Sequence, residues 1–489
     1  MKIDRRLFLD HAALLGVTAS LLASSRHTRA ADKPLKADGT KADKLRVAVV
    51  GVKGRGMDHI SGFAARHNCE VTHICDADSG VIANAMSTVK QRQGKEPIFV
   101  QDIRKLIEIK DIDILSIATP NHWHALMAIW AMQNGKHVYV EKPVSHNVLE
   151  GRRMVEVARK TGKICQTGTQ SRSSKGMKEA IAFLHTGKLG KLHLARGLCY
   201  KLRPSIGKVS GPQNPPKTCD YDLWCGPAPK APLMRARLHY DWHWIWDTGN
   251  GDLGNQGIHE MDKARWGLQK NSLPQSVVSV GGRFGYVDDG QTANSQVIHF
   301  DYGDCELVFE VRGLPSDSPY PGKKSPKRGP KPSNFVGNVW YGTEGFLVCP
   351  SYTGGIAYSK DGEILKEFSG GGDHYGNFVA AVRANDPKLL NADIEEGHLS
   401  SALCHLGNIS YRLGDPVALD SKPPFASAQA NEAFESLVRH LKENKIELAT
   451  TTYSNGKVLK LQGEQFVGDA KANQMLTREY RKGFELPKA

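Results

Sequence analysis

Short apolar runs rich in β-branched residues, spaced by stretches of helix length, organise the first third of the chain from Leu45 onward. The runs are LRVAVV (45–50), EVTHIC (70–75), PIFV (97–100), DILSIA (113–118), KHVYV (136–140) and KICQTG (163–168), with segments such as MAIWAMQNG and LEGRRMVEVARKTG between them. Strands that alternate with helices predict a parallel sheet covered on both faces, an α/β fold whose ligands sit beyond the C-terminal strand ends. This pattern is expected to fill residues 45–168. A second domain over 169–425 and a C-terminal helix and tail over 426–489, the helix running from Ala426 to Asn444, account for the rest of a chain long enough for two domains. Residues 315–338, rich in Pro, Ser and Lys, read as one long loop.

The first thirty residues have a different pattern. Arg5 and Arg6, followed by Leu7, Phe8 and Leu9, precede an apolar run from Ala12 to Ala23, and Thr28 and Ala30 supply small residues for cleavage. This resembles a bacterial twin-arginine export signal, although Asp10 stands where a basic residue is common. The run is too short to span a bilayer comfortably, so the expected destination is the periplasm or beyond, with no stable membrane span after processing. Residues 31–44 then form a polar linker.

Charge and cysteine content narrow the classes further. The formal net charge is +14, of which Lys2, Arg5, Arg6, Arg26 and Arg29 against Asp4 and Asp10 account for three within the signal. The remaining basic residues are dispersed, and the one dense run, GKKSPKRGPK from Gly322 to Lys331, lies in a Pro-rich loop without the interleaved aromatics of a single-strand binder. No nucleic-acid partner is expected. Nine cysteines, an odd number, show no metal-ligand spacing; Cys219 and Cys225 could pair, but folding before export favours free thiols.

Candidate chemistry clusters at the predicted strand ends. The first strand runs into Gly51, Val52, Lys53, Gly54, Arg55 and Gly56, a variant of GxGxxG in which Lys53 occupies the central glycine position. Such a turn brings backbone N–H groups at a helix start close to a pyrophosphate. The second strand ends at Asp76, whose carboxylate suits an adenosine ribose and repels a 2′-phosphate, so NAD is expected rather than NADP, with Lys53 and Arg55 beside it. The fifth strand ends in Glu141, Lys142 and Pro143. An amine there, shielded from water, can have its pKa lowered and exchange a proton with a substrate hydroxyl; a surface lysine capping a turn is the plainer alternative. His122 and His124 form an HxH pair, but with no third ligand nearby they read as helix-start residues beside the cofactor, and no metal is expected.

Ala118-Thr119-Pro120-Asn121-His122-Trp123-His124, Glu141-Lys142-Pro143 and Gly254-Asn255-Gln256-Gly257-Ile258-His259-Glu260-Met261-Asp262, in this order and spacing, resemble the Gfo/Idh/MocA oxidoreductase family. Asp222 to Pro227, Glu395 to His398 and Arg478 to Arg481 resemble exported members. The resemblance implies an N-terminal Rossmann domain and a C-terminal α+β domain with an open, mainly antiparallel sheet that often forms an oligomer contact, here a dimer or tetramer. It implies cofactor contacts from Gly51, Lys53, Gly54, Arg55, Gly56, Asp76, Thr119, Pro120, Asn121, His124, Glu141 and Lys142. It also implies a proton-transfer role for Lys142 with His259 as catalytic partner. Many relatives have an aspartate four residues before that histidine, one helical turn away; here the position is Asn255, an amide that can orient the ring but cannot stabilise its cation as a carboxylate does. Asp252 and Asp262 are nearby alternatives.

Independently of the family, Tyr240 to Asp247 gathers Trp242, Trp244 and Trp246 within five residues. If extended, these rings share one face, either a wall for a sugar, with Asp262 close by, or a ridge in the core. The expected activity is hydride transfer at a carbinol carbon of a sugar, sugar derivative or polyol. The alternatives are a glycosidase that oxidises its sugar transiently with tightly bound NAD, and a non-catalytic cofactor or sugar binder.

Overall fold

The computed structural model describes residues 43–316 and 334–489; the signal, most of the linker and the basic run from Gly322 to Lys331 lie outside the described residues. The first sheet contains β1 (Leu45–Val50), β2 (Cys69–Cys75), β3 (Ile98–Val100), β4 (Ile114–Ile117), β5 (His137–Val140) and β6 (Cys165–Thr167). Their order is β3-β2-β1-β4-β5-β6, and every neighbouring pair is parallel. Winding therefore reverses between β1 and β4, which opens a crevice at their C-terminal ends.

Side-chain alternation divides β1 between two cores. Ala48 and Val50 join Leu115, Ile117, Leu126 and Met154 on one face, beneath the helices Asn121–Gln133 and Val148–Thr161. Val47 and Val49 join Val71, Ile74, Ile60 and Phe63 on the other, beneath the helix Gly56–Phe63. At ~1.5–3 kcal/mol for each large apolar side chain removed from water, these short strands gain their stability from both faces. The second face is completed from far along the chain, by Phe378, Val379 and Val382 of the helix His374–Ala384.

The second sheet is mainly antiparallel. It contains β7 (Leu192–Tyr200), β8 (Ser276–Gly282), β9 (Ser295–Asp301), β10 (Glu306–Arg312), β11 (Phe335–Gly342), β12 (Gly345–Cys349), β13 (Gly354–Ser359), β14 (Ile364–Ser369), β15 (Asp415–Ala418) and β16 (Thr452–Asn455). The order is β14-β13-β12-β11-β7-β10-β9-β8-β16-β15, with β7 and β10 parallel. Along β10, Leu307, Phe309 and Val311 face the helices Gly257–Gly267 and Ile394–Arg412, while Val308 faces the helix Ala428–Glu443. This is the period-2 pattern of a sheet buried on both sides.

One expectation needs correction. The loop read over 315–338 ends sooner, because Phe335 to Gly342 pair along β7 as β11. Residues after 426 fold back on the body: β16 pairs with β8, and Phe484 enters the core around Trp123. Cys219 and Cys225 do not pair, and all nine cysteines are free thiols, as folding before export favours. Among the described residues no helix is long and apolar enough to cross a membrane.

Candidate functional site

A cavity of about 1160 Å³ lies over the crevice and is closed on its far side by residues 201–259 and Tyr352. That exceeds the ~300–1,000 Å³ usual for one drug-sized ligand, leaving space for a dinucleotide and a second molecule. It extends from the end of β2 to the end of β5, three inter-strand steps or ~14 Å along the sheet edge.

At the β2 end, the Gly51–Gly56 turn is built for close backbone approach. Gly51 has φ +82°, and a Cβ there would lie 2.6 Å from Thr119 N. A Cβ on Gly56 would lie 2.1 Å from the Gly51 carbonyl oxygen, so this glycine holds helix against turn and does not itself line the cavity. Gly54 is different: its Cβ position has no atom within 4 Å, and the residue lines the cavity. The turn thus offers an open cradle to a diphosphate, and the group fits. Asp76 accepts hydrogen bonds from Val52 N at 2.9 Å and Asp78 N at 3.0 Å, which aim its carboxylate along the cavity wall. Burial raises its pKa, and those two N–H groups oppose the rise. Gly54→Val is expected to leave thermal stability close to wild type while weakening NAD at least ~10-fold, about 1.4 kcal/mol; calorimetric titration checks this, and unchanged affinity would remove Gly54 from the cradle.

At the β5 end, Lys142 Nζ donates to the main-chain carbonyl of Asn255 at 2.7 Å. Its pKa is lowered by burial first; Glu141 opposes this, and the charges of Arg55 and Lys201 add to it. Glu141 is 4% exposed and gathers donors around its carboxylate. Arg55 Nε lies at 3.0 Å, His59 Nε2 at 3.2 Å and Gln170 Nε2 at 3.2 Å from Oε1. Burial alone would raise the Glu141 pKa, but His59 and Arg55 hold it well below the usual carboxylate range. His124 spans the two loops, with Nδ1 2.6 Å from Pro143 O and Nε2 2.8 Å from Thr119 O. A neutral ring donates to only one of these carbonyls. The ring nitrogens of His122 likewise face main-chain carbonyls, those of Trp224 and Thr248.

His259 lines the same cavity, its ring 5.1 Å from that of Tyr352. Burial and the neighbouring Lys142 ammonium depress its pKa well below the ordinary histidine range. The expected one-turn relation with Asn255 is not formed. Gln256 separates the helices Gly251–Asn255 and Gly257–Gly267, and His259 N bonds to Gln256 O in a tighter, i to i+3 turn. Among the described residues no hydrogen bond joins the Asn255 side chain to His259; Asn255 contributes its carbonyl to Lys142 instead.

The extended aromatic ridge is also corrected. Tyr240 adopts φ +69°, and Asp241–Trp244 coil into a 3₁₀ turn, so the tryptophans diverge. Trp242 lines the cavity and stacks on His243 at 3.6 Å between centroids. Trp244 is 5% exposed beneath Arg203, and Trp246 lines a separate cavity. Asp262 is not part of the large cavity: it is buried against Arg172 Nε at 2.8 Å and Ser400 Oγ at 2.7 Å. Asp252 is likewise committed to Arg203, at 2.6 and 2.9 Å.

Thr119, Pro120, Asn121, Lys53 and Arg55 line the cavity with the residues above. Several side chains there carried no sequence signal. Lys201, just past β7, donates to Gln256 Oε1 at 2.8 Å, and Gln256 in turn contacts Tyr352 Oη. These two segments meet the β5 end only through the second sheet.

Comparison with known proteins accords with this architecture. Residues 45–169 match the Gfo/Idh/MocA oxidoreductase family's NAD-binding Rossmann fold, and residues 191–327 match its C-terminal alpha/beta domain. A glycosyl hydrolase family 109 protein of Shewanella putrefaciens is 36% identical over 176 residues, covering 33% of this chain and 38% of the relative. An alpha-N-acetylgalactosaminidase of Shewanella oneidensis is 34% identical over the same shares. The chain therefore spans well under half the length of these relatives. Among solved structures, the WlbA dehydrogenase of Bordetella pertussis, in complex with NADH and UDP-GlcNAcA, has a TM-score of 0.54 at 19% identity over 75% of this chain and 94% of its own. The WlbA dehydrogenase of Chromobacterium violaceum has a TM-score of 0.56 at 18% identity, over 76% and 95%. At these identities the likeness is one of fold. With both domains matched in order, and a glycine turn opening on the sheet's switch point, the chain belongs to the Gfo/Idh/MocA family of oxidoreductases.

Proposed function

We propose that this protein is an NAD-dependent oxidoreductase acting on a carbinol carbon of a sugar, sugar derivative or polyol. The observation that carries the reading is the meeting of Lys142 and His259 in the one cavity that also contains the glycine turn and Asp76. NAD, when bound, supplies the hydride acceptor. Lys142 accepts the hydroxyl proton, and its lowered pKa makes the free amine accessible at milder pH than in an ordinary lysine. His259, neutral at pH 7, is a poor proton acceptor and serves to hydrogen-bond and orient the hydroxyl. Trp242 offers an apolar face to a sugar ring, and Lys201 adds a cation at the substrate end. Asp76 favours NAD over NADP through repulsion of a 2′-phosphate.

A second reading, a glycosidase that returns the hydride after elimination, is favoured by the names of the Shewanella relatives. We also assign residues 1–30 to export by the twin-arginine route and expect a homo-oligomer. To separate the two activities, purified protein is denatured and assayed for released NAD(H), then native protein is incubated with free sugars and with aryl glycosides. Growth or bleaching of the NADH band without aryl release supports the oxidoreductase. Aryl release with no net change in NADH sinks it in favour of the glycosidase.

A further inference from the structure

A second cavity, of about 380 Å³, lies behind the loop that follows Lys142. Its wall comes from His146, the helix Ile394–Arg412, Trp246 and the C-terminal tail around Arg478. Asn250 separates it from the large cavity: its Oδ1 accepts from Asn121 Nδ2 at 2.9 Å, and its Nδ2 donates to His146 O at 3.0 Å.

Three cationic side chains, Arg412, Lys471 and Arg478, line this space against a single acid, Asp247. Arg412, itself exposed, has no hydrogen-bond or salt-bridge partner among the described residues; its guanidinium lies 4.9 Å over the ring of Trp246, which orients it and leaves its N–H donors without a protein acceptor. Arg478 Nη1 donates to Asp247 O at 3.0 Å and lies 3.2 Å from His146 Nδ1, but its Nε is buried with no partner. Neither guanidinium is hydrogen-bonded or salt-bridged to a carboxylate among the described residues; Asp247 acts on Arg412 and Glu150 on Arg478 only through their charge. The nearest buried acid, Glu150, accepts from His146 N, Asn147 and Tyr480 and does not line the space. Planar forks with unfilled donors, held by an aromatic face and a fixed tail, are the arrangement that binds carboxylate or phosphate oxygens in pairs.

We propose that this cavity is a second ligand site, distinct from the dinucleotide site, for the oxyanion group of a small molecule, a carboxylate or a phosphate. The full-length protein is first saturated with NAD, so that the diphosphate cradle is filled. Inorganic phosphate and, separately, acetate are then titrated calorimetrically. Saturable binding of either anion is expected, and whichever binds identifies the oxyanion. In Arg412→Gln, which breaks no hydrogen bond of the fold, that binding is expected to weaken at least 10-fold while NAD affinity stays at wild type; Arg478→Gln should weaken it as well. Absence of saturable binding for both anions, or equal anion affinity in wild type and Arg412→Gln, overturns the proposal.

Discussion

Replacing Lys142 with methionine is expected to lower kcat for sugar or polyol oxidation at least ~10²-fold, the scale of a lost proton acceptor, with NAD affinity within a few-fold of wild type. Methionine retains an unbranched apolar body between Glu141 and Pro143, so the change isolates the amine. The pH profile provides a second readout. An amine must be deprotonated to accept the hydroxyl proton, so kcat/KM should rise with pH along a limb set by Lys142. Burial, Arg55 and Lys201 place that limb below the ~10.4 of a free lysine. Lys201→Met removes one of the lowering charges and should therefore move the limb to higher pH. A Lys142→Met variant with near-normal turnover would assign the proton to another group.

The second large effect concerns stability. Glu141→Gln leaves Arg55 and His59 without their shared carboxylate. Because the Arg55 side chain is 41% exposed, the cost should be about 2–4 kcal/mol, somewhat under the ~3–5 of a fully buried pair. The sign with pH follows from the depressed Glu141 pKa. A carboxylate held below its unfolded value contributes stability that is fully present above about pH 4.5 and is lost as the pH falls through the folded value. The gap between wild type and Glu141→Gln in urea denaturation should be widest near neutral pH and narrow below about 4.5. A gap that stays unchanged as the pH is lowered well below 4.5, toward the folded value, would show that the lost interaction is not one of charge.

What was legible in the sequence has a common physical character. The strands of the first sheet are buried on both faces, so their apolar runs stand out without a partner, and the residues that end them, Gly51, Asp76 and Lys142, fall at one edge by topology alone. The misread positions depend on a local left-handed backbone or on contacts distant in sequence. The shared face of Tyr240 to Asp247 is conditional on an extended chain, but a left-handed Tyr240 starts a turn that sends Trp242 and Trp246 into different cavities. Asp262 looked available because its partner, Arg172, is ninety residues away. Lys201 and Tyr352 belong to no local motif, and only the pairing of β7, β11 and β12 brings their segments over the β5 end of the cavity. Asn255 was recognised by position, yet its contribution is a main-chain carbonyl that any residue would provide.

The packing of the helix His374–Ala384 and of Phe484 against the first sheet bears on the order in which the chain can mature. A nascent polypeptide usually completes its N-terminal domain while the remainder is still being made. Here the strands synthesised earliest keep part of each face uncovered until residues more than two hundred positions later have emerged. The dinucleotide domain is thus the first to be translated and among the last to be finished.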